Sequence, residues 1–140
     1  MNTFITESVK QFFHETLSIR CEKYEKFPAI NIYTALITLS DSEKKYTFSL
    51  CMKEETLNLI SSILLYEDVP DEETKVDLVC ECANLIVGAA KVAIEESRDN
   101  QLLQLSPPEY QGYFEEGFSK DFEDKLYFKV KDELIMIGIE

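Results

Sequence analysis

Residues 71–98, DEETKVDLVCECANLIVGAAKVAIEESR, follow Pro70 without a further proline and predict one helix of about seven turns. On its N-terminal side, Glu67–Pro70 reads as a short loop and Lys53–Tyr66 as another helix. Leu57, Ile60 and Leu64 mark that helix's buried stripe, and Glu54 and Glu55 sit in its first turn, where the helix dipole favours negative charge. Further upstream, Ile30–Leu39 is rich in Ile, Thr, Tyr and Leu, and Tyr46–Cys51 sets Tyr46, Phe48 and Leu50 against Thr47 and Ser49. With the polar turn Ser40–Lys45 between them, these segments predict a hairpin. Lys26–Pro28 reads as a break, and Thr3–Ile19 as an opening helix with Ile5, Val9, Phe12, Phe13 and Leu17 at helical spacing. Downstream, Gln101–Ser106 predicts a strand ended by Pro107 and Pro108, Glu109–Ser119 an irregular aromatic stretch, and Phe122–Val130 and Leu134–Ile139 a last pair of strands. Strands come in runs and do not alternate with helices. That order predicts an α+β layered fold, an antiparallel sheet packed against helices, in a single domain spanning residues 1–140.

On the long helix, Asp77, Glu81, Asn84, Gly88 and Lys91 recur at steps of four, three, four and three. At about 100° per residue they fall within roughly 80° of one another. Leu78, Cys82, Leu85, Ala89 and Val92 form a neighbouring apolar stripe, and Val79, Ala83, Ile86, Ala90 and Ala93 widen it. The helix is thus mostly apolar with one narrow polar seam. Asn84 and Gly88 are poor helix formers, and a mid-helix glycine costs about 1 kcal/mol relative to alanine. Something other than helix stability favours them there, and a glycine without Cβ lets another surface come close. From geometry alone, a solvated acidic face with a packing glycine is the better account of these residues.

The combination Asp77-x3-Glu81-x2-Asn84, followed by Pro107 after 22 intervening residues, resembles the signature of the CheC, CheX and FliY phosphatases of bacterial chemotaxis. The text DLVCECANLIVGAAKVAIEE looks like their active-site helix, Leu105-Ser106-Pro107 and Gly112 resemble the segment after it, and ITESVKQFFHETLSI is similar to the start of CheX. One Glu-x-x-Asn copy in a short chain is closest to CheX. The resemblance implies the CheC-like fold with a long active-site helix, and an enzyme that hydrolyses the aspartyl-phosphate of a CheY-like receiver. It implies that Asn84 orients the attacking water and Glu81 pairs with the receiver's lysine. Asp77 and Gly88 would contact the partner, and Pro107 would shape the chain after the strand. The chain itself would bind no cofactor or metal, since the receiver supplies Mg²⁺. A homodimer joined through its sheets is also implied. The alternative within the resemblance is a non-catalytic module that binds a receiver or a flagellar-motor protein.

The chemistry is sound on its own terms. An aspartyl-phosphate is already activated, so positioning a water supplies much of the acceleration. An amide donates and accepts hydrogen bonds without repelling phosphoryl oxygens, while a carboxylate one turn away engages a lysine.

The remaining composition narrows the field. A formal charge of −13 repels phosphate backbones and anionic membrane surfaces, so nucleic acid and membrane are not expected partners. No segment approaches the roughly 18–20 apolar residues of a membrane span, and the opening MNTFITESVKQFF, with Glu7 early, lacks the pattern of a signal peptide. The expected location is the cytoplasm. Cys21, Cys51, Cys80 and Cys82 form no paired CxxC pattern and read as reduced thiols, mostly buried packing residues. Cys80 and Cys82 point about 200° apart on a helix, against a shared metal site. His14 is the one histidine, so neither a His-pair catalyst nor a multi-His metal site is available within one chain.

Overall fold

The computed structural model describes residues 1–28, 30–98, 102–116 and 121–140. The chain opens with helix α1 (Asn2–Gln11), which widens into a π-helical turn at Phe12–Thr16. The single helix predicted to Ile19 therefore ends early. Ser18 takes a left-handed backbone conformation (φ 55°) and the Ile19 N–H returns to the Phe13 carbonyl at 2.9 Å, which closes the helix end. Strand β1 (Cys21–Tyr24) follows, then β2 (Ile32–Ser40), β3 (Lys45–Lys53), α2 (Glu54–Leu64) and α3 (Glu72–Ser97). After α3 come β4 (Gln104–Leu105), β5 (Glu109–Phe114), β6 (Asp124–Val130) and β7 (Glu133–Ile139).

The seven strands make one antiparallel sheet in the order β1-β6-β7-β3-β2-β4, with β5 also on the outer edge of β2. The predicted hairpin is β2–β3, from Ile32 against Lys53 to Ser40 against Lys45. In β2, Tyr33, Ala35, Ile37 and Leu39 join the main core; that period of two aims them at the helices. Phe48, Leu50 and Met52 of β3, Phe128 of β6 and Ile135, Ile137 and Ile139 of β7 meet them, and α1, α2 and α3 close the layer with Ile5, Phe13, Leu57, Ile60, Ile86 and Ile94. The fold is α+β, as its strand runs require.

The opposite face of the sheet carries a smaller cluster of Phe27, Ile32, Cys51 and Met136, with Phe114, Phe122 and Tyr127 beside it. Gly138 makes room there: a Cβ on it would lie 2.5 Å from the Phe122 ring.

Three strands depart from the sequence expectation. β1 is an additional strand, four residues held by β6. Glu109–Phe114, predicted irregular, is β5, paired with β2 through a bulge between Thr34 and Ala35. Gly112 supplies the φ of +133° that the bulge needs. The strand predicted over 101–106 is reduced to β4; Gln101 lies outside the described residues, as do 117–119 of the stretch predicted irregular. Ser106 is still fixed to β2, its N–H donating to the Thr38 carbonyl (2.9 Å) and its hydroxyl accepting from the Thr38 N–H (2.8 Å). Pro107 and Pro108 then lack the N–H groups to continue the ladder, and pairing resumes at Glu109.

Candidate functional site

Helix α3 is the element that carries the site. Asp71 caps it, its carboxylate accepting from the Thr74 N–H at 2.8 Å, and Glu72 and Glu73 fill the first turn. Leu78, Val79, Cys82, Ala83, Ile86, Val87, Ala90 and Ile94 are buried, so the rod is anchored to the sheet along its whole length. Lys75 is buried as well and its Nζ sits 2.6 Å from the Glu54 carboxylate of α2. Ser8 of α1 donates its hydroxyl to the Ile86 carbonyl. These contacts hold α3 from both neighbouring helices.

The face left to solvent contains the sequence-predicted residues. Asp77 and Glu81 are exposed, Asn84 and Gly88 half-buried. Glu81 and Asn84 stand one turn apart, about 4.5 Å along the axis. Among the described residues, neither the Glu81 carboxylate nor the Asn84 amide has a hydrogen bond or ion pair within the chain. Both remain available to a group from outside. Lys91, the fifth residue of the seam, is engaged: its Nζ is 3.2 Å from Glu95, whose carboxylate also accepts from the Leu103 N–H at 2.9 Å. That backbone bond, with Lys91 behind it, holds the Glu95 carboxyl below the usual carboxylate range.

The strip is bordered on one side by α1 and on the other by the β4–β5 edge. Gly88 faces β4, where an added Cβ would meet Leu105 Cδ2 at 3.7 Å, an ordinary van der Waals distance. Packing inside the chain therefore does not require a glycine. Cys80, half-buried on the same border, has its thiol pushed up in pKa by burial and secondly by Asp77. Cys82 points inward, and burial pushes it up to about 12, with the Glu81 carboxylate adding to the effect. The two thiols diverge as the helical geometry predicts. Among the described residues no group of three or more His, Cys, Asp or Glu is arranged to hold a metal ion. None of their helices is long and apolar enough to cross a membrane.

One part of the sequence reading needs correction. Leu85, Ala89, Val92 and Ala93, assigned to the apolar stripe and its widening, are not covered: Leu85 is 42% and Val92 52% exposed, and Ala89 and Ala93 are exposed too. The helical wheel itself holds the missed signal. Relative to Glu81, Leu85 lies about 40° and Val92 about 20° round the helix, closer than Asn84 at about 60° on the other side. The solvent face is thus acidic and polar toward the N-terminus of α3 and carries exposed apolar residues at Leu85, Ala89, Val92 and Ala93 before charge returns at Glu96, wider than a narrow polar seam.

The chain is similar over its length to the chemotaxis protein CheX from Vibrio vulnificus, at 18% identity and TM-score 0.79, covering 99% of this chain and 95% of that one. It is also similar to a chemotaxis protein CheX from Desulfovibrio desulfuricans (15% identity, TM-score 0.77, 99% and 96% covered). A third similar structure is a CheX–CheY–BeF₃–Mg²⁺ complex from Borrelia burgdorferi (16% identity, TM-score 0.74, 98% and 94% covered). At these identities the likeness concerns the fold. A search of curated proteins finds no match. A family model described as chemotaxis phosphatase CheX matches residues 33–112, more than half of the chain, from β2 through α3 into β5 and including Asp77, Glu81, Asn84, Gly88 and Pro107. The chain belongs to the CheX family.

Proposed function

We propose that this chain is a phosphatase of a phosphorylated CheY-like receiver, and that Asn84 and Glu81 carry the reaction. The observation that supports this most is the pairing of an unengaged amide and an unengaged carboxylate, one turn apart on the open face of a helix fixed at both flanks. Such a pair reaches into a neighbouring molecule without rearrangement. The Borrelia burgdorferi complex adds a family relative seated with a CheY.

In this reading Asn84 enters the receiver's active site and its amide holds a water in line with the phosphorus–oxygen bond of the aspartyl-phosphate. Water attacks, the phosphorus–oxygen bond to the aspartate breaks, and inorganic phosphate and a free aspartate result. Fixing the water removes the entropic part of the barrier, and the amide's neutrality avoids repelling the phosphoryl oxygens. Glu81 pairs with the receiver's active-site lysine and sets the register in which Asn84 arrives. Asp77 adds to partner binding from one turn further back. Gly88, whose missing Cβ this chain has no need for, leaves clearance for the receiver. This chain contributes no cofactor; the receiver brings Mg²⁺. The reaction belongs in the cytoplasm, where receivers operate.

The decisive experiment is Asn84→Ala. Phosphate release from the phosphorylated receiver is expected to fall by a factor on the order of 100 or more, as for loss of one essential positioning group, while receiver binding is retained. Unchanged phosphate release would remove the enzymatic reading and leave the non-catalytic binding module.

The chain is further read as a homodimer joined at a sheet edge. Among the described residues, β5 pairs only with β2, and of its six residues, EYQGYF, Glu109 alone is charged. β1, the opposite edge, carries Glu22 and Lys23 in four residues, the kind of charge that discourages edge pairing. The β5 edge is the better fit to a second copy.

A further inference from the structure

We propose that Leu85, Ala89 and Val92, with the groove between α1 and α3 beside them, form an apolar docking surface for the receiver that presents its phosphoryl group to Asn84. This rests on the phosphatase reading and deepens it: the polar half of the α3 face would perform the chemistry, and the apolar half would set affinity and choice of receiver.

Three observations carry it. The first is exposure. Leu85 and Val92 are large aliphatic side chains left about half open, whereas Leu78, Val79, Ile86, Val87 and Ile94 of the same helix are buried. They stand on one contiguous strip with Glu81, Asn84 and Gly88, and a partner engaged with Asn84 has the adjacent Leu85 beneath it. The second is shape. Where Ala89 and Leu85 face α1, two adjoining hollows of about 280 and 220 Å³ share Ser8, Gln11 and Ala89 and together make a shallow groove. Phe4 and Phe12 contribute to its walls. An elongated aliphatic ridge fits such a groove better than a compact polar group.

The third observation is charge. Glu7 of α1 and Glu15 of the π-helical turn line the groove, and Glu81 and Glu96 of α3 are exposed. Two of the nearby cations are engaged elsewhere: Lys75 is buried against Glu54 and Lys91 is paired with Glu95. The surface that fits is an aliphatic patch fringed with lysine or arginine. Apolar contact supplies affinity, and the acidic rim excludes receivers whose corresponding face is acidic. A receiver that offers a lysine to Glu81 already brings one cation to this rim.

The test uses the 140-residue chain and a CheY-like receiver of the host, held in its active form with beryllofluoride and Mg²⁺ for binding and phosphorylated for turnover. Leu85→Ser and Val92→Ser are compared with Asn84→Ala and with Tyr66→Ser, a control at a 90% exposed tyrosine on the α2–α3 connection. Leu85→Ser and Val92→Ser are each expected to weaken binding and raise KM about five- to tenfold with kcat retained, as follows from losing part of an aliphatic contact. Tyr66→Ser is expected to change neither, and Asn84→Ala to lose kcat with binding retained. Because the substituted side chains are open to solvent, the melting temperature serves as a check that each variant is folded. Wild-type affinity and KM in both serine variants, with Asn84→Ala still inactive, would overturn the docking surface and leave the phosphatase reading standing. Wild-type protein that neither binds nor dephosphorylates the receiver would overturn both.

Discussion

At Gly88 two demands separate cleanly. An alanine there fits against Leu105 at van der Waals distance and gains up to about 1 kcal/mol of helix propensity. Gly88→Ala is therefore expected to raise the melting temperature while slowing receiver dephosphorylation, measured by thermal denaturation and phosphate release on the same samples. A variant that is both more stable and fully active would show that no partner approaches this position. Cys82 gives a second prediction. Burial raises its thiol from 9.0 to about 12 in the folded chain. Between those values the unfolded chain has released a proton that the folded chain keeps, so the folded state binds more protons and loses stability as pH rises. The contribution is intact below pH 9 and lost progressively toward 12. Melting temperatures recorded across this window are expected to fall, and Cys82→Ala to flatten the decline; an equally steep decline in the variant would assign it to other groups, such as Cys21, which burial raises in the same direction.

Between elements, the contact of α2 with α3 rests on a lopsided ion pair. The Lys75 side chain is 10% exposed and that of Glu54 48%, so Lys75 bears most of the desolvation. Removing its partner leaves a nearly buried charge uncompensated, whereas replacing the lysine with an apolar residue of similar length does not. Glu54→Ala is expected to cost about 2 kcal/mol, discounted from the fully buried case because Glu54 is half open, and Lys75→Met under about 1 kcal/mol. Urea denaturation of the two variants decides it, and equal costs would mean the pair contributes no electrostatic asymmetry. The same element-level view explains β5. Exposure alternates along it, but the residue types do not, since Gly112 takes a half-buried position and Tyr113 an exposed one. β1 is equally hard to read, being four residues with two charges that exist as a strand only through β6.

For the whole molecule, the distribution of charge and the open sheet edge bear on assembly. A chain of net charge −13 resists close approach of its copies, so an edge contact through β5 must come from backbone pairing and the uncharged residues of that strand. Light scattering at moderate salt is expected to give a mass twice the 16.2 kDa of one chain, and a monomer at all concentrations would remove the dimer. The sequence by itself determined the α+β class, the β2–β3 hairpin, the α3 rod and the spacing that gathers Asp77, Glu81, Asn84 and Gly88, because hydrophobic period and helical pitch are properties of neighbours along the chain. The helical wheel places Leu85 and Val92 beside Glu81; only the tertiary structure decided how much of that side α1 leaves uncovered, that Lys75 is buried, and that Glu109–Phe114 extends the sheet. Those outcomes depend on how far α1 reaches along α3 and on which edge of β2 is left for pairing, and both are fixed by contacts between residues distant in sequence.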